Sequence, residues 1–480
     1  MKDYSDLISP ILVKEFRQGI RSKLFTFTFL LSQFVMVLIV ITGLALDGMN
    51  QKDFNILFWI IVILPIMFLL PLSGINSISE EVKLKTIDLI YLTHLGSFRI
   101  LLGKMLSICF QILLLLSAVL PYVIVRYYIG NVNLYEDLVF LVNAFLIATL
   151  VTSLSIFLST VKLNPILKWI LLLFILYSVI GSISVLSFGP ASRSGMGFMS
   201  VGFIIYIYLF WALTITLILE FGAKLIAPEI ENHSTSIRLI GIAFVLIAFS
   251  STIFLSSKSE KEFIFATTMV IIGLISFVSC CEKMKTSPLV YLPFVRYKRS
   301  GRLLGKLLYP GWITGIIYTV FLTASFITIC LSTGLMPMDI FDDLSAPIVI
   351  SFISTAVYAP IVLKVFGDRI KRVITFSFLV HLISAIPFYF FSIGHGMGKS
   401  WSSTAAQVCA FFPNSYFLCN LTPFNKINTV FQIVGFAVSL GFIAFFLKDI
   451  IFSYYKMKAI EFKAIQILKE KNAQSLNEVS

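Results

Sequence analysis

An all-α membrane protein with about twelve spanning helices is the fold this sequence predicts, and three observations predict it. Of 480 residues, 58% are hydrophobic and only 13% charged, against about 25% charge in a soluble domain that must cover its surface. Mean hydropathy is +0.96, and the 47 Phe are spread along most of the chain. The apolar residues gather in stretches of about 20, the length at which a helix crosses a bilayer. Backbone polar groups in hydrocarbon must bond within their own segment, so each stretch is read as helix. Alternating ten-residue strands of the barrel kind are absent.

Taken in order, the chain opens with Ser9-Pro10, a helix cap followed by proline at the first turn. An amphipathic helix is predicted over 9–23. Lys14, Arg17 and Arg21 share one stripe and Leu12, Phe16 and Ile20 the opposite one. A basic amphipathic helix of this kind lies flat at the lipid headgroups. The first span, 24–46, is too long for a signal core of about 7–15 residues. It reads as a retained signal anchor. Further spans are read at 54–77, 100–128, 138–160, 166–188, 200–222, 238–256, 263–281, 309–333, 347–366, 373–394 and 428–450. They divide into a first six-helix membrane domain, 1–236, and a second, 237–453. A basic tail, 454–480, closes the chain.

Placing both termini in the cytoplasm puts thirty of the 37 Lys and Arg on that side, where basic residues collect. The net charge of +13 therefore reports orientation in a cell membrane, with the lipid bilayer as partner and no nucleic acid.

Catalytic chemistry is hard to find. The nearest approach to a phosphate loop is GHGMGKS, Gly394 to Ser400. It has three residues between its glycines where wrapping a phosphate needs four. The chain has no CxxC and no HExxH, so no catalytic centre, bound cofactor or metal is expected. His381 is the one ionisable group well inside a span, while Glu220 and Arg126 are expected near span ends within reach of water. Cys409 and Cys419 lie at or near the last outer loop, where a disulfide is conceivable.

The informative residues face the cytoplasm. The loop after the second span, SEEVKLKTIDLIYLTHLGSFRILLGK, runs from Ser79 to Lys104 and is too apolar for a solvated loop. Leu84, Ile87, Tyr91 and Leu95 fall on one helical face among Glu80, Glu81, Lys83, Lys85 and Asp88. A short helix of this kind needs something to bury its stripe against: the chain's own spans or a soluble partner.

SPILVKEFRQGIRS resembles the start of ABC transporter permeases of the type-two exporter family, with their Lys/Arg-Glu-Phe/Leu-Arg core. The loop resembles that family's E-R-E-x-G-T-[LM]-[DE]-L-L signature, followed by L-x-G-K. Glu81, Thr86, Asp88, Leu89, Thr93, Leu102, Gly103 and Lys104 match. Val82, Lys83, Lys85 and His94 depart. The resemblance covers roughly the first 190 residues.

It implies a permease subunit that forms an export pathway while a separate ATPase chain holds ATP and Mg and hydrolyses the nucleotide. The N-terminal helix, with Lys14, Glu15, Phe16, Arg17 and Arg21, would be the elbow helix. Residues 80–96 would be the coupling helix that docks on the ATPase. Glu80, Glu81, Lys83 and Asp88 would make polar contacts there, Ile87, Leu89 and Tyr91 apolar ones, with Thr86 inside the signature.

LLGKML at 101–106 recurs as LLGKLL at 303–308, each at the mouth of the third span of its half. This positional agreement favours a duplicated plan. The second loop, CEKMKTSPLVYLPFVRYKRSGRLLGK, lacks the acidic–Thr signature and reads either as a degenerate coupling segment or as a basic membrane-surface loop. If only the first loop docks, a second permease chain or a homodimer is required.

The alternative function is a single-chain secondary carrier of the twelve-helix type. FGDRIKR, Phe366 to Arg372, faintly resembles the Asp-Arg-x-Gly-Arg-Arg turn of the major facilitator family. It lies between spans ten and eleven, where that family has no such turn.

Overall fold

The computed structural model describes residues 10–45, 58–84, 96–129, 134–161, 201–228, 230–252, 254, 258–282, 284–285, 287–333 and 429–477. Among them every regular element is helical. Among the described residues eight helices are long and apolar enough to cross a membrane, and each coincides with a span read from sequence. The predicted spans 166–188, 347–366 and 373–394 lie outside the described residues. Of the predicted span 428–450, residues 429–450 form the apolar first half of a longer helix.

The contacts separate into two units, Met1–Gly197 with Thr214–Ala227, and Phe198–Leu213 with Pro228–Ser480. In the first, α1 (Pro10–Ile20) precedes four spans: α2 (Lys23–Ala45), α3 (Phe58–Lys83), α4 (Ser97–Ile129) and α5 (Leu134–Thr160). α4 is the central member, with α1, α2 and α5 packed on it, and α5 also carries α3. The outer face of α2 is apolar, with Phe27 67% and Phe34 63% exposed. Water would penalise such a face and lipid accepts it.

α3 is irregular for a reason visible in its sequence. Pro65 and Pro71 each lack an N–H and crowd the carbonyl four residues back. The ladder answers with a π-helical turn at Leu64–Leu69 and a 3₁₀ turn at Ser73–Asn76. Gly74 lets this stretch close on α4 and α5, since a Cβ there would meet Ile156 at 3.1 Å and Ile108 at 3.3 Å. The helix then runs on through Ser77–Lys83, beyond the predicted end of the span at 77.

The second unit contains α7 (His233–Thr252), α8 (Lys258–Cys280), α9 (Lys298–Leu308), α10 (Trp312–Thr333) and α11 (Thr429–Asn477). α6 (Val201–Ile226) contributes its first half to this unit and its second half to the other. α7, α8 and α10 pack on one another. Gly315 on α10 lies against the Ser279 carbonyl of α8, and Gly241 on α7 against the Tyr318 hydroxyl of α10, with no room for a Cβ at either. Small residues that let backbones approach are what holds helices together where lipid removes the hydrophobic drive.

Between α8 and α10 the chain does not simply return to the membrane. A turn at Pro288–Val290, a one-turn helix at Leu292–Val295 and α9 form a folded connection. Val290, Tyr291, Val295 and Tyr309 bury themselves there against Met457, Ile460 and Ala464 of α11. The last half of α11 is thus a packed helix. The two LLGK strings occupy different settings: the first lies inside continuous α4, the second in α9, which ends three residues before α10 begins.

Candidate functional site

Three segments that are far apart in sequence meet around Lys104. The first is the end of α3. Ser159 of α5 accepts hydrogen bonds from the backbone N–H groups of Ile78 (2.7 Å) and Ser79 (3.0 Å). It thereby caps the Ser77–Lys83 segment, whose own Asn76 provides no side-chain cap. Two free N–H groups at a helix start are satisfied this way, and the direction of the segment is fixed.

The second is α1. Its Phe16 ring meets Phe110 of α4 edge-on at 5.7 Å, and Gly19 sits where any Cβ would strike the Gln111 side chain. That packing leaves Lys14, Arg17 and Arg21 exposed and Leu12, Phe16 and Ile20 partly buried, the two stripes read from sequence. Glu15 projects towards α4.

The third is the start of α4. Lys104 is 5% exposed, and its ammonium donates to Glu81 at 2.9 Å and to Glu15 at 3.4 Å. A buried lone ammonium would be strongly unfavourable; two carboxylates make this one tolerable and leave the cluster with a net negative charge. One cation ties the N-terminal helix and the end of α3 to the first turns of α4.

Of the residues singled out in the loop, Glu80 and Lys83 are exposed and Glu81 is turned inward to Lys104. Leu84, 73% exposed, continues the outward face. Thr86, Ile87, Asp88, Leu89 and Tyr91 lie outside the described residues, as do His381, the 394–400 segment, Cys409 and Cys419.

Two expectations are corrected. Glu220, within α6, is buried rather than open to water, at 9% exposed. Arg126 does not reach water: it is 4% exposed, paired with Asp137 at 3.1 Å, and lies over the rings of Phe58 (5.0 Å) and Trp59 (5.1 Å). Asp137, at the start of the next helix, was the available signal, since a cation near a span end is retained in the interior when an acid comes within reach.

Arg238, at the start of the predicted span 238–256, is a further buried cation among the described residues. Its side chain has no exposed surface, and it donates to Glu282 at 2.8 Å and to the carbonyls of Leu307, Tyr309 and Gly311 at 2.7–3.0 Å. It staples the ends of α7 and α8 to the turn between α9 and α10. Gly311 there has φ +150°, a conformation in which glycine has no Cβ penalty.

No group of three or more His, Cys, Asp or Glu suited to a metal occurs among the described residues. The apolar helices define a multi-pass membrane protein. No family model, no curated protein and no solved structure matches the chain.

Proposed function

We propose that this chain is the permease subunit of an ABC-type exporter, driven by a separate ATPase that docks where α3 leaves the membrane. The observation that carries this reading is the Lys104 cluster. Glu15, Glu81 and Lys104 belong to the two sequence segments that resemble the exporter family, and both carboxylates lie within 3.4 Å of the Lys104 ammonium. On this reading the cluster sits at the cytoplasmic face and α1 is the elbow helix. Displacement of the loop beyond Lys83 is passed through Glu81 and Lys104 to α4, and through Glu15 to α1. Glu80, Lys83 and Leu84 are the outward residues offered to the ATPase, and Glu81 is an internal tie. ATP and Mg belong to the partner chain.

The test is co-purification with a candidate ATPase, repeated with the exposed pair exchanged as Glu80→Lys with Lys83→Glu. Like charges brought together at an interface cost several kcal/mol, so ATPase recovery should fall while insertion is retained. Recovery of this chain alone under every condition would overturn the reading. The rival, a single-chain carrier, has the buried Arg126–Asp137 pair in its favour, since intramembrane charge pairs mark ion pathways. Transport by the purified chain without nucleotide would decide for it.

A further inference from the structure

α9 has two glycines on its inner side. Gly301 rests on Phe294 and Tyr297, and Gly305 on the Tyr309 ring, so closely that a Cβ at either position would collide. This seating fixes which way the rest of the helix points. At 100° per residue Leu303 falls opposite the two glycines and Leu304 to one side of them, and they are 58% and 56% exposed. Arg299 and Arg302 are exposed beside them, and Lys306 is partly exposed.

Depth follows from connectivity. Only Tyr309, Pro310 and Gly311 separate α9 from the first residue of the membrane-crossing α10, so α9 lies at the edge of the hydrocarbon. From Glu282 to Gly311 the sequence holds seven Lys or Arg and a single acid, Glu282, which is paired with Arg238; the packed α11 brings one more acid, Glu461, close to Tyr309. α9 itself contains no acidic residue.

We propose that α9 is a binding site for anionic phospholipid. Leu303 and Leu304 enter the acyl region, and Arg299, Arg302 and Lys306 hold the phosphate-bearing headgroups alongside. The apolar pair alone would accept any lipid; the cations select the anionic one. Each cation near such a surface is worth about fivefold in association, which makes three worth about 100-fold. The site rests on the membrane class of the protein and is independent of the permease reading.

The experiment uses the full chain in nanodiscs containing a photoactivatable phosphatidylglycerol or the matching phosphatidylcholine, with adducts mapped by mass spectrometry. Adducts on 298–308 should be enriched about tenfold or more for phosphatidylglycerol. The enrichment should collapse in high salt and in the triple variant Arg299→Gln, Arg302→Gln, Lys306→Gln, while adducts on α2 stay equal for the two lipids. Equal labelling by both lipids in the unmodified chain overturns the proposal. So does an absence of adducts from either, which would mean that protein covers this face. Enrichment that survives both salt and the triple substitution overturns it as well. The lipid comparison and the salt series need no variant, so poor folding of the triple mutant leaves the test intact.

Discussion

Five oxygen acceptors lie within 3.1 Å of the Arg238 guanidinium: one carboxylate oxygen of Glu282, three backbone carbonyls and the Thr314 hydroxyl. Truncation to Ala strands Glu282 as a buried uncompensated charge, which costs about 3–5 kcal/mol. Thermal unfolding in detergent should record a large drop for Arg238→Ala. A much smaller one is expected for Arg238→Met combined with Glu282→Leu, because the double change removes both charges. Equal losses in the two variants would show that the pairing is not what makes Arg238 matter. Tyr291 and Tyr309 make a different kind of prediction. Their hydroxyls are buried without a hydrogen-bond partner, and burial pushes Tyr291 up to about 12 and raises Tyr309 too. An acid whose pKa rises on folding keeps its proton longer in the folded state. Stability from this core is therefore complete below about pH 10, the ordinary phenol value, and falls as pH climbs towards 12. Tyr291→Phe should flatten that alkaline loss and be neutral or stabilising at pH 7.

Helices in this protein are held by a few close contacts, and those can be tested singly. Gly315 touches the Ser279 carbonyl, so Gly315→Val must push α10 from α8. The expected cost is about 1–3 kcal/mol, read as a lowered unfolding temperature. An unchanged temperature would mean that the α8–α10 contact is loose. At the other unit, Lys104→Met keeps the apolar stem and deletes the charge that serves Glu15 and Glu81. Hydrogen exchange should quicken in α1 and in Ser77–Leu84 while α5 remains protected, with a stability loss of about 1.5–3 kcal/mol. Exchange that quickens everywhere would make Lys104 a general stability residue. The helices themselves were legible because an apolar run of about 20 residues has one structural outcome in lipid. The amphipathic stripes of α1 were legible for a similar reason, since 3.6-residue periodicity is local. The π-helical turn of α3 was not anticipated, although Pro65 and Pro71 announced a disturbed ladder. Which residue would meet Lys104 was also beyond the sequence, because that pairing spans 89 positions to Glu15 and depends on how α1 lies on α4.

For the molecule in its membrane, sidedness is the quantity that unites these features. On the proposed orientation Lys83, at the end of α3, and Arg299, ahead of α10, face the cytoplasm, and Tyr135 lies beyond the far end of α4. With native Cys109, Cys280, Cys281 and Cys330 buried and Cys409 and Cys419 replaced by Ser, single cysteines at these positions give a clean readout. Tyr135→Cys should react with an impermeant maleimide in intact cells, and Lys83→Cys and Arg299→Cys only after permeabilisation. Labelling of position 299 from outside would break the orientation. The folded character of the second loop was the largest thing composition hid. CEKMKTSPLVYLPFVRYKRSGRLLGK reads as basic, and its buried residues Val290, Tyr291 and Val295 are too few and irregularly spaced to announce a core. That core exists because α11 supplies the other half of it from more than 140 residues away.

α11 is one unbroken helix of 49 residues, about 73 Å at 1.5 Å per residue. A rod of that length does not average out small rotations; it magnifies them. Ala464, seated against the second loop, is 35 residues from Thr429, about 52 Å along the axis. A tilt of about 5° at the apolar end would carry it roughly 4–5 Å sideways, on the order of one helical turn. Since Met457, Ile460 and Ala464 are clasped by Val290, Tyr291, Val295 and Tyr309, the loop cannot stay behind. Whatever leans on this lever at one end is felt as leverage at the other, with no hinge between to absorb it.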